Sequence, residues 1–210
     1  MKKLTTIPNR SFSGNVPDRI LLTGFRATGK STLGRQLARQ LDYKFIDTDK
    51  MLSARFNCSI AQYVSGNGWA AFRRQESQLL FELSEISGVV ISTGGGSVLN
   101  EQAWIRVREK SLVIWLQADA ATVRDRLVSD VETEGQRPSL TGSSTGNEVE
   151  TILTEREPLY RRSSDMAMDT AAAEPEKLVQ EILQLFGINK KQNNRQDVKC
   201  QEVASEPCSG

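Results

Sequence analysis

The residues best equipped for chemistry lie together near the start of the chain. Gly24-Phe-Arg-Ala-Thr-Gly29-Lys30-Ser31 has the pattern G-x-x-x-x-G-K-[ST]. A glycine-rich loop of this kind turns its backbone N–H groups onto phosphate oxygens, and the helix that follows adds partial positive charge. In that arrangement Lys30 meets the β- and γ-phosphates of a nucleoside triphosphate and Ser31 ligates Mg²⁺. The setting is the required one: the apolar run Arg19–Thr23 precedes the loop and a helical pattern, Lys30–Leu41, follows it. Lys30 is expected to project from the loop and to contribute little packing.

Four other groups could act beside such a loop. Asp47-Thr-Asp49 follows a second short apolar run, where one carboxylate could face Mg²⁺ and the other a substrate hydroxyl. The competing reading is a helix N-cap, for which Asp and Thr are favoured. Phe72-Arg73-Arg74-Gln-Glu76 lies in a long helical stretch. Its arginines could coat a solvated face, or one could turn inward, oriented by Glu76, as a carboxylate clamp. Gly94-Gly95-Gly96 either makes a plain turn or offers a bare backbone to a ligand, and it does not fit the dinucleotide fingerprint G-x-G-x-x-G. Arg137-Pro138 sits in an irregular stretch long enough to be a lid, from which an Arg could neutralise charge developing on a transferred phosphoryl. Arg156, in Glu-Arg156-Glu-Pro-Leu-Tyr160, has the alternative of an ion-paired surface residue.

The elements that must hold these residues alternate along the chain. Strand candidates are Arg19–Thr23, Tyr43–Ile46, Val89–Ser92, Leu112–Leu116 and Met166–Asp169. Helical stretches separate them: Lys30–Leu41, one opened by the capping-box spacing at Ser59, Gly68–Glu85, Asn100–Glu109, Asp119–Val128, one opened near Asn147, and Glu176–Phe186. Short strands alternating with longer helices predict βαβ units around a parallel sheet, with strands apolar on both faces. Residues 1–18 are expected to form a flexible leader and 187–210 a polar disordered tail, leaving residues 19–186 as one domain with a lid at about 130–147.

Composition removes several classes. Of 210 residues 27 are basic and 26 acidic, so no charge field favours nucleic acid or an anionic membrane. No apolar run reaches the roughly 18 residues of a membrane helix. Histidine is absent, which excludes imidazole bases and His-ligated metals. Cys58, Cys200 and Cys208 fit neither a disulfide framework nor a thiolate site and suit a reducing, cytoplasmic setting. A monomer is the expected state.

The ordered series G-F-R-A-T-G-K-S-T, F-I-D-T-D, F-R-R-Q-E, S-T-G-G-G, Q-R-P-S-L and R-E-P-L-Y-R-R resembles the shikimate kinases, from about Arg19 to Phe186. The resemblance implies a three-layer α/β/α kinase with a central five-stranded parallel sheet and a mobile lid. It implies ATP and Mg²⁺ as cofactors and phosphorylation of the 3-hydroxyl of shikimate, a step in chorismate and aromatic amino acid biosynthesis. ATP would contact Gly24, Ala27, Thr28, Gly29, Lys30, Ser31, Thr32, Arg126 and Arg137. Shikimate would contact Asp49, Arg73, Gly94, Gly95, Gly96 and Arg156, and the metal would contact Ser31 and Asp47. Lys30, Asp49 and Arg137 would carry catalysis. Ala27 stands where the family often has glycine, Trp69 where it commonly has an acid, and Ser139 where the lid usually has leucine. Two other readings are a kinase for another small hydroxy or sugar acid and a silent nucleotide-binding module of the same fold.

Overall fold

In the computed structural model, residues 4–6, 16–129, 145–171 and 173–188 are described. Six strands form a single sheet: β1 (Leu4–Thr6), β2 (Arg19–Thr23), β3 (Lys44–Asp47), β4 (Val89–Ser92), β5 (Ser111–Gln117) and β6 (Met166–Asp169), in spatial order β1-β6-β5-β2-β4-β3. Strands β2 to β6 are mutually parallel, as the alternation of short strands and helices predicts, so their carboxyl ends share one edge. There β2 runs into the phosphate-binding loop, β3 ends at Asp47 and β4 ends at Ser92, paired with both Leu22 and Asp47. The sixth strand was not expected. Leu4–Thr6, inside the stretch read as a leader, pairs antiparallel with Met166–Met168 and covers what would otherwise be an open edge.

Helices α1 (Lys30–Leu41), α2 (Thr48–Phe56), α3 (Ile60–Leu83), α4 (Glu101–Arg108), α5 (Ala120–Ser129), α6 (Thr145–Ser163) and α7 (Pro175–Leu185) cover both faces. Side-chain alternation along β2 sorts them. Ile20 and Leu22 face Leu33 and Leu37 of α1 with Leu178 and Ile182 of α7, whereas Leu21 faces Leu52, Leu79 and Leu83 of α2 and α3. All five residues of β2 are buried, the pattern of a strand covered on both sides. Val16 and Ile188 also pack against the α1–α7 side, so the packed unit extends a few residues beyond 19–186 at each end. Phe25, Val123, Val149 and Ile152 form a small third cluster that seats α5 and α6 against the loop.

Two local features aim α3 at the site. Its N-terminus is closed by reciprocal capping: Gln62 N–H donates to Ser59 Oγ at 3.1 Å and Ser59 N–H to Gln62 Oε1 at 3.0 Å. Gly68, at φ 80° and ψ 162°, then interrupts the helix, so the two helices expected from Ser59 and Gly68 follow one another across a kink. At the far end Arg19 is 2% exposed and donates to the carbonyls of Ser84 at 2.5 Å and Ile86 at 2.7 Å, anchoring the α3 C-terminus to the sheet. Burial lowers the pKa of this guanidinium from its ordinary value.

Candidate active site

The phosphate-binding loop is built from unusual backbone. Gly24, Ala27 and Gly29 have φ of 133°, 60° and 83°. A Cβ at Gly24 would overlap the carbonyl oxygen of Leu116, so only glycine fits there. Ala27 occupies the left-handed region with a side chain, which costs about 1 kcal/mol that glycine would not incur. The Thr28 hydroxyl donates to the Phe25 carbonyl at 2.8 Å and ties the loop across itself. Lys30 does not project into solvent as expected. It is 8% exposed, and its ammonium donates to the carbonyls of Gly24 at 2.9 Å and Phe25 at 2.6 Å. The loop's own carbonyls converge on the cation because the same curvature turns the N–H groups the other way.

A cleft of about 1020 Å³ opens above this loop. Ala27, Thr28, Gly29, Lys30, Ser31, Thr32 and Arg126 line it, while Gly24 lies beneath at the loop's origin. Arg126 forms one wall, donating to the Thr170 carbonyl at 2.8 Å and to the Ala27 carbonyl at 3.3 Å, so it joins the loop to the end of β6. Arg137 lies outside the described residues.

Asp47 uses its two carboxylate oxygens separately. Its Oδ1 caps α2 by accepting from the N–H groups of Asp49 and Lys50, while its Oδ2 accepts from the Ser31 hydroxyl at 2.5 Å. The capping alternative for the D-T-D motif therefore belongs to Asp47, and Asp49 is left facing the cavity. The Ser92 hydroxyl stands 3.4 Å from that of Ser31. Hard oxygen donors in this number suit Mg²⁺, which keeps waters and phosphate oxygens in its shell. Among the described residues no cluster of three or more His, Cys, Asp or Glu could cage a metal alone.

Beyond the loop a second, smaller pocket brings together Asp49, Arg73, Gly94, Gly95, Gly96 and Arg156 with Arg26, Trp69 and Glu76. Asp49 lines this pocket and the nucleotide cleft alike, so its carboxylate stands where the two meet. Arg73 turns inward and Arg74 is exposed, so the pair does not simply coat a solvated face. Arg73 is held by an ion pair to Glu76 and lies 5.4 Å from the Trp69 ring centroid. Glu76 is 1% exposed and also accepts from Ser97 Oγ at 2.7 Å and Asn100 Nδ2 at 2.8 Å. The glycines leave no room for side chains. A Cβ at Gly94 would come 2.8 Å from Asp49 Oδ1, and one at Gly96 would overlap the Arg73 guanidinium.

Arg156 and Tyr160 sit one turn apart on α6 and both donate to the Gly95 carbonyl, at 3.2 and 2.5 Å. Burial pushes the Tyr160 phenol up to about 12. The sequence does not by itself assign Arg26, Ser92 or Tyr160 to the site, or Ser97 and Asn100 to the shell behind it. Arg26, Ser92 and Tyr160 carried a signal, through their places inside the loop motif, directly before Thr93-Gly94-Gly95-Gly96 and at the end of Arg156-Glu-Pro-Leu-Tyr160.

The family model described as shikimate kinase matches residues 26–186. The chain belongs to the shikimate kinase family. It is 43% identical over 152 residues to the shikimate kinase of Oleidesulfovibrio alaskensis, covering 72% of this chain and 88% of that one. It is 38% identical over 171 residues to shikimate kinase 2 of Yersinia enterocolitica, covering 81% and 97%. The solved shikimate kinase of Acinetobacter baumannii in complex with shikimate superposes with a TM-score of 0.74 at 28% identity, covering 81% of this kinase and 92% of that chain. That of Bacteroides thetaiotaomicron matches at 0.71 and 29%, covering 82% and 100%. The α/β fold with its five parallel strands is thus that of the shikimate kinases. No helix among the described residues is long and apolar enough to cross a membrane.

Proposed function

We propose that this kinase transfers the γ-phosphoryl of ATP to the 3-hydroxyl of shikimate, giving shikimate 3-phosphate and ADP. The observation that carries the reading is the position of Asp49. It lies between a phosphate-binding cleft and a pocket whose arginines, Arg73 and Arg156, suit a single carboxylate. A hydroxy acid anchored there by its carboxylate presents its ring hydroxyls to Asp49 and the bare backbone of Gly94–Gly96.

Catalysis rests on positioning and charge. Asp49 orients the attacking hydroxyl and accepts its proton as the oxygen bonds to the γ-phosphorus and the bond from that phosphorus to the β–γ bridging oxygen breaks, releasing ADP. Lys30 offers its ammonium to the transferred group. Arg137 is assigned to the phosphates on the family motif. Ser31 and Asp47 would hold Mg²⁺, which when bound neutralises phosphate charge. The Thr170 and Arg126 wall receives the nucleotide's base end. A monomeric, cytoplasmic enzyme completes the reading.

Phosphorylation of another hydroxy or sugar acid is disfavoured because the relatives at 38–43% identity are shikimate kinases. A silent binding module would be expected to have lost Lys30, Asp49 or an anion-binding arginine, and all are present. A coupled ADP-release assay across shikimate, quinate, gluconate and nucleoside monophosphates tests the reading. Shikimate should be preferred, and a clear preference for any other acceptor overturns it.

A further inference from the structure

We propose that Asn100, acting with Ser97 through Glu76, is a positioning residue that sets where the Arg73 guanidinium meets the substrate's carboxylate. The inference rests on the reading of that pocket as a carboxylate site. Neither residue touches the pocket itself; both act on the buried carboxylate behind Arg73.

The argument begins with what a lone carboxylate would do to an arginine. Glu76 and Arg73 are one helical turn apart, and an unencumbered pair would close into the two-point fork that Arg and carboxylate favour. That fork would take both terminal nitrogens toward Glu76 and away from the substrate. Here the carboxylate is already engaged on both oxygens. Ser97 Oγ donates to Oε1 at 2.7 Å, and Asn100 Nδ2 donates to Oε2 at 2.8 Å, the same oxygen that meets Arg73 Nη1. The two neutral donors fix the rotation of the carboxylate, and in that rotation Arg73 meets Oε2 alone. The remaining guanidinium is then pressed along Gly96, at the wall of the pocket.

A second observation shows that Asn100 is committed to this task. It occupies the N-cap of α4, a position where an Asn side chain normally accepts from the helix's first N–H groups. Its side chain makes no such bond and turns inward to Glu76. Forgoing the cap weakens α4 locally, so the inward bond is not what helix stability alone selects. The 3₁₀ turn Ser97–Leu99 delivers both donors. Its bonds from Ser97 N–H to the Gly94 carbonyl and from Asn100 N–H to the Ser97 carbonyl continue directly out of the triple glycine. The segment that bares its backbone to the ligand therefore also aims the arginine above it.

The test compares Asn100→Ala and Asn100→Ser with the parent, each in the Arg73 and the Arg73→Ala backgrounds. Asn100→Ser is neutral, too short to keep the bond to Glu76 and a favoured N-cap, so it carries the test if the alanine variant fails to fold. Both should raise the KM for shikimate roughly three- to tenfold, less than the loss of a whole hydrogen bond to a charged group because the effect reaches the substrate only through Arg73. Turnover number and the KM for ATP should stay within about twofold, and the effect on kcat/KM for shikimate should vanish in the Arg73→Ala background. An unchanged shikimate KM overturns the inference. So does a parallel loss of ATP affinity, or an effect that persists without Arg73, since either marks a merely structural role. Failure of the parent to turn over shikimate overturns the substrate reading and this inference with it; parent turnover with indifferent variants overturns this inference alone.

Discussion

Replacing Arg73 by lysine keeps the positive charge and removes the fork, which makes it a sharp probe of carboxylate recognition. Three interactions change. The ammonium presents a point charge in place of two parallel N–H groups, costing one charge-assisted hydrogen bond, about 1.5–3 kcal/mol. It weakens the cation–π contact with Trp69, whose ring centroid lies 5.4 Å from the guanidinium carbon, by about 0.5–1 kcal/mol. Its shorter reach also releases Glu76, although Ser97 and Asn100 keep that carboxylate satisfied, so the fold should tolerate the change. Retained charge offsets part of the loss, leaving about 1.4–2.8 kcal/mol, or a 10- to 100-fold rise in the KM for shikimate. Steady-state ADP release with each substrate varied in turn measures it. The KM for ATP should move less than about twofold, because Arg73 lines the smaller pocket and not the nucleotide cleft. Arg74→Lys is the internal control, since that side chain is exposed one residue away. Equal effects at Arg73 and Arg74, or a larger shift for ATP than for shikimate, would refute the clamp.

Asp49→Asn should lower kcat by at least about 10²-fold while ATP binding, followed by calorimetry, stays near the parent value; because Asp47 caps α2, near-normal turnover would remove Asp49 from the reaction. Lys30→Ala should abolish phosphoryl transfer and also lower Tm, by an amount matching about 1–3 kcal/mol, because a buried ammonium bridging two loop carbonyls is lost. An unchanged Tm in thermal denaturation would contradict the bridging role. Arg19→Met strips the Ser84 and Ile86 carbonyls of their donor and should cost about 2–4 kcal/mol, roughly 5–15 °C in Tm, with substrate KM values unchanged. Tyr160 keeps its proton longer when folded than unfolded. Its contribution to stability is therefore present below the ordinary value of 10.0 and is lost as pH rises through about 12. Denaturant melts should show Tyr160→Phe losing less stability than the parent between those limits.

How much of this was legible in the sequence follows from the range of each interaction. The loop motif, the D-T-D pair and the alternation of strand with helix are local patterns, and local sterics, capping and periodicity are written in adjacent residues. That is why β2, α1, the Ser59 cap and the break at Gly68 stand close to where spacing placed them. Ordered motifs added the family, and with it the expectation that Arg73 and Arg156 share one anion. The fold brings the two residues to one pocket, Arg73 from α3 and Arg156 from α6, although they are far apart in sequence.

Other features depend on neighbours far along the chain, and tertiary structure alone decided them. Leu4–Thr6 has no strand signal of its own; it pairs because β6 offers it an open edge. Lys30 reads as a surface lysine until the loop's curvature turns two carbonyls onto its ammonium. Which of two adjacent arginines faces inward was set by the packing of α3 against the sheet, and Glu76 became its support only when Ser97 and Asn100 closed around it from 21 and 24 residues away. Asn100 shows the reason most plainly. Its type and position announce a helix cap, a local bond, and the fold instead gave its amide to a buried carboxylate, because an unsatisfied charge in the interior costs more than an open helix end.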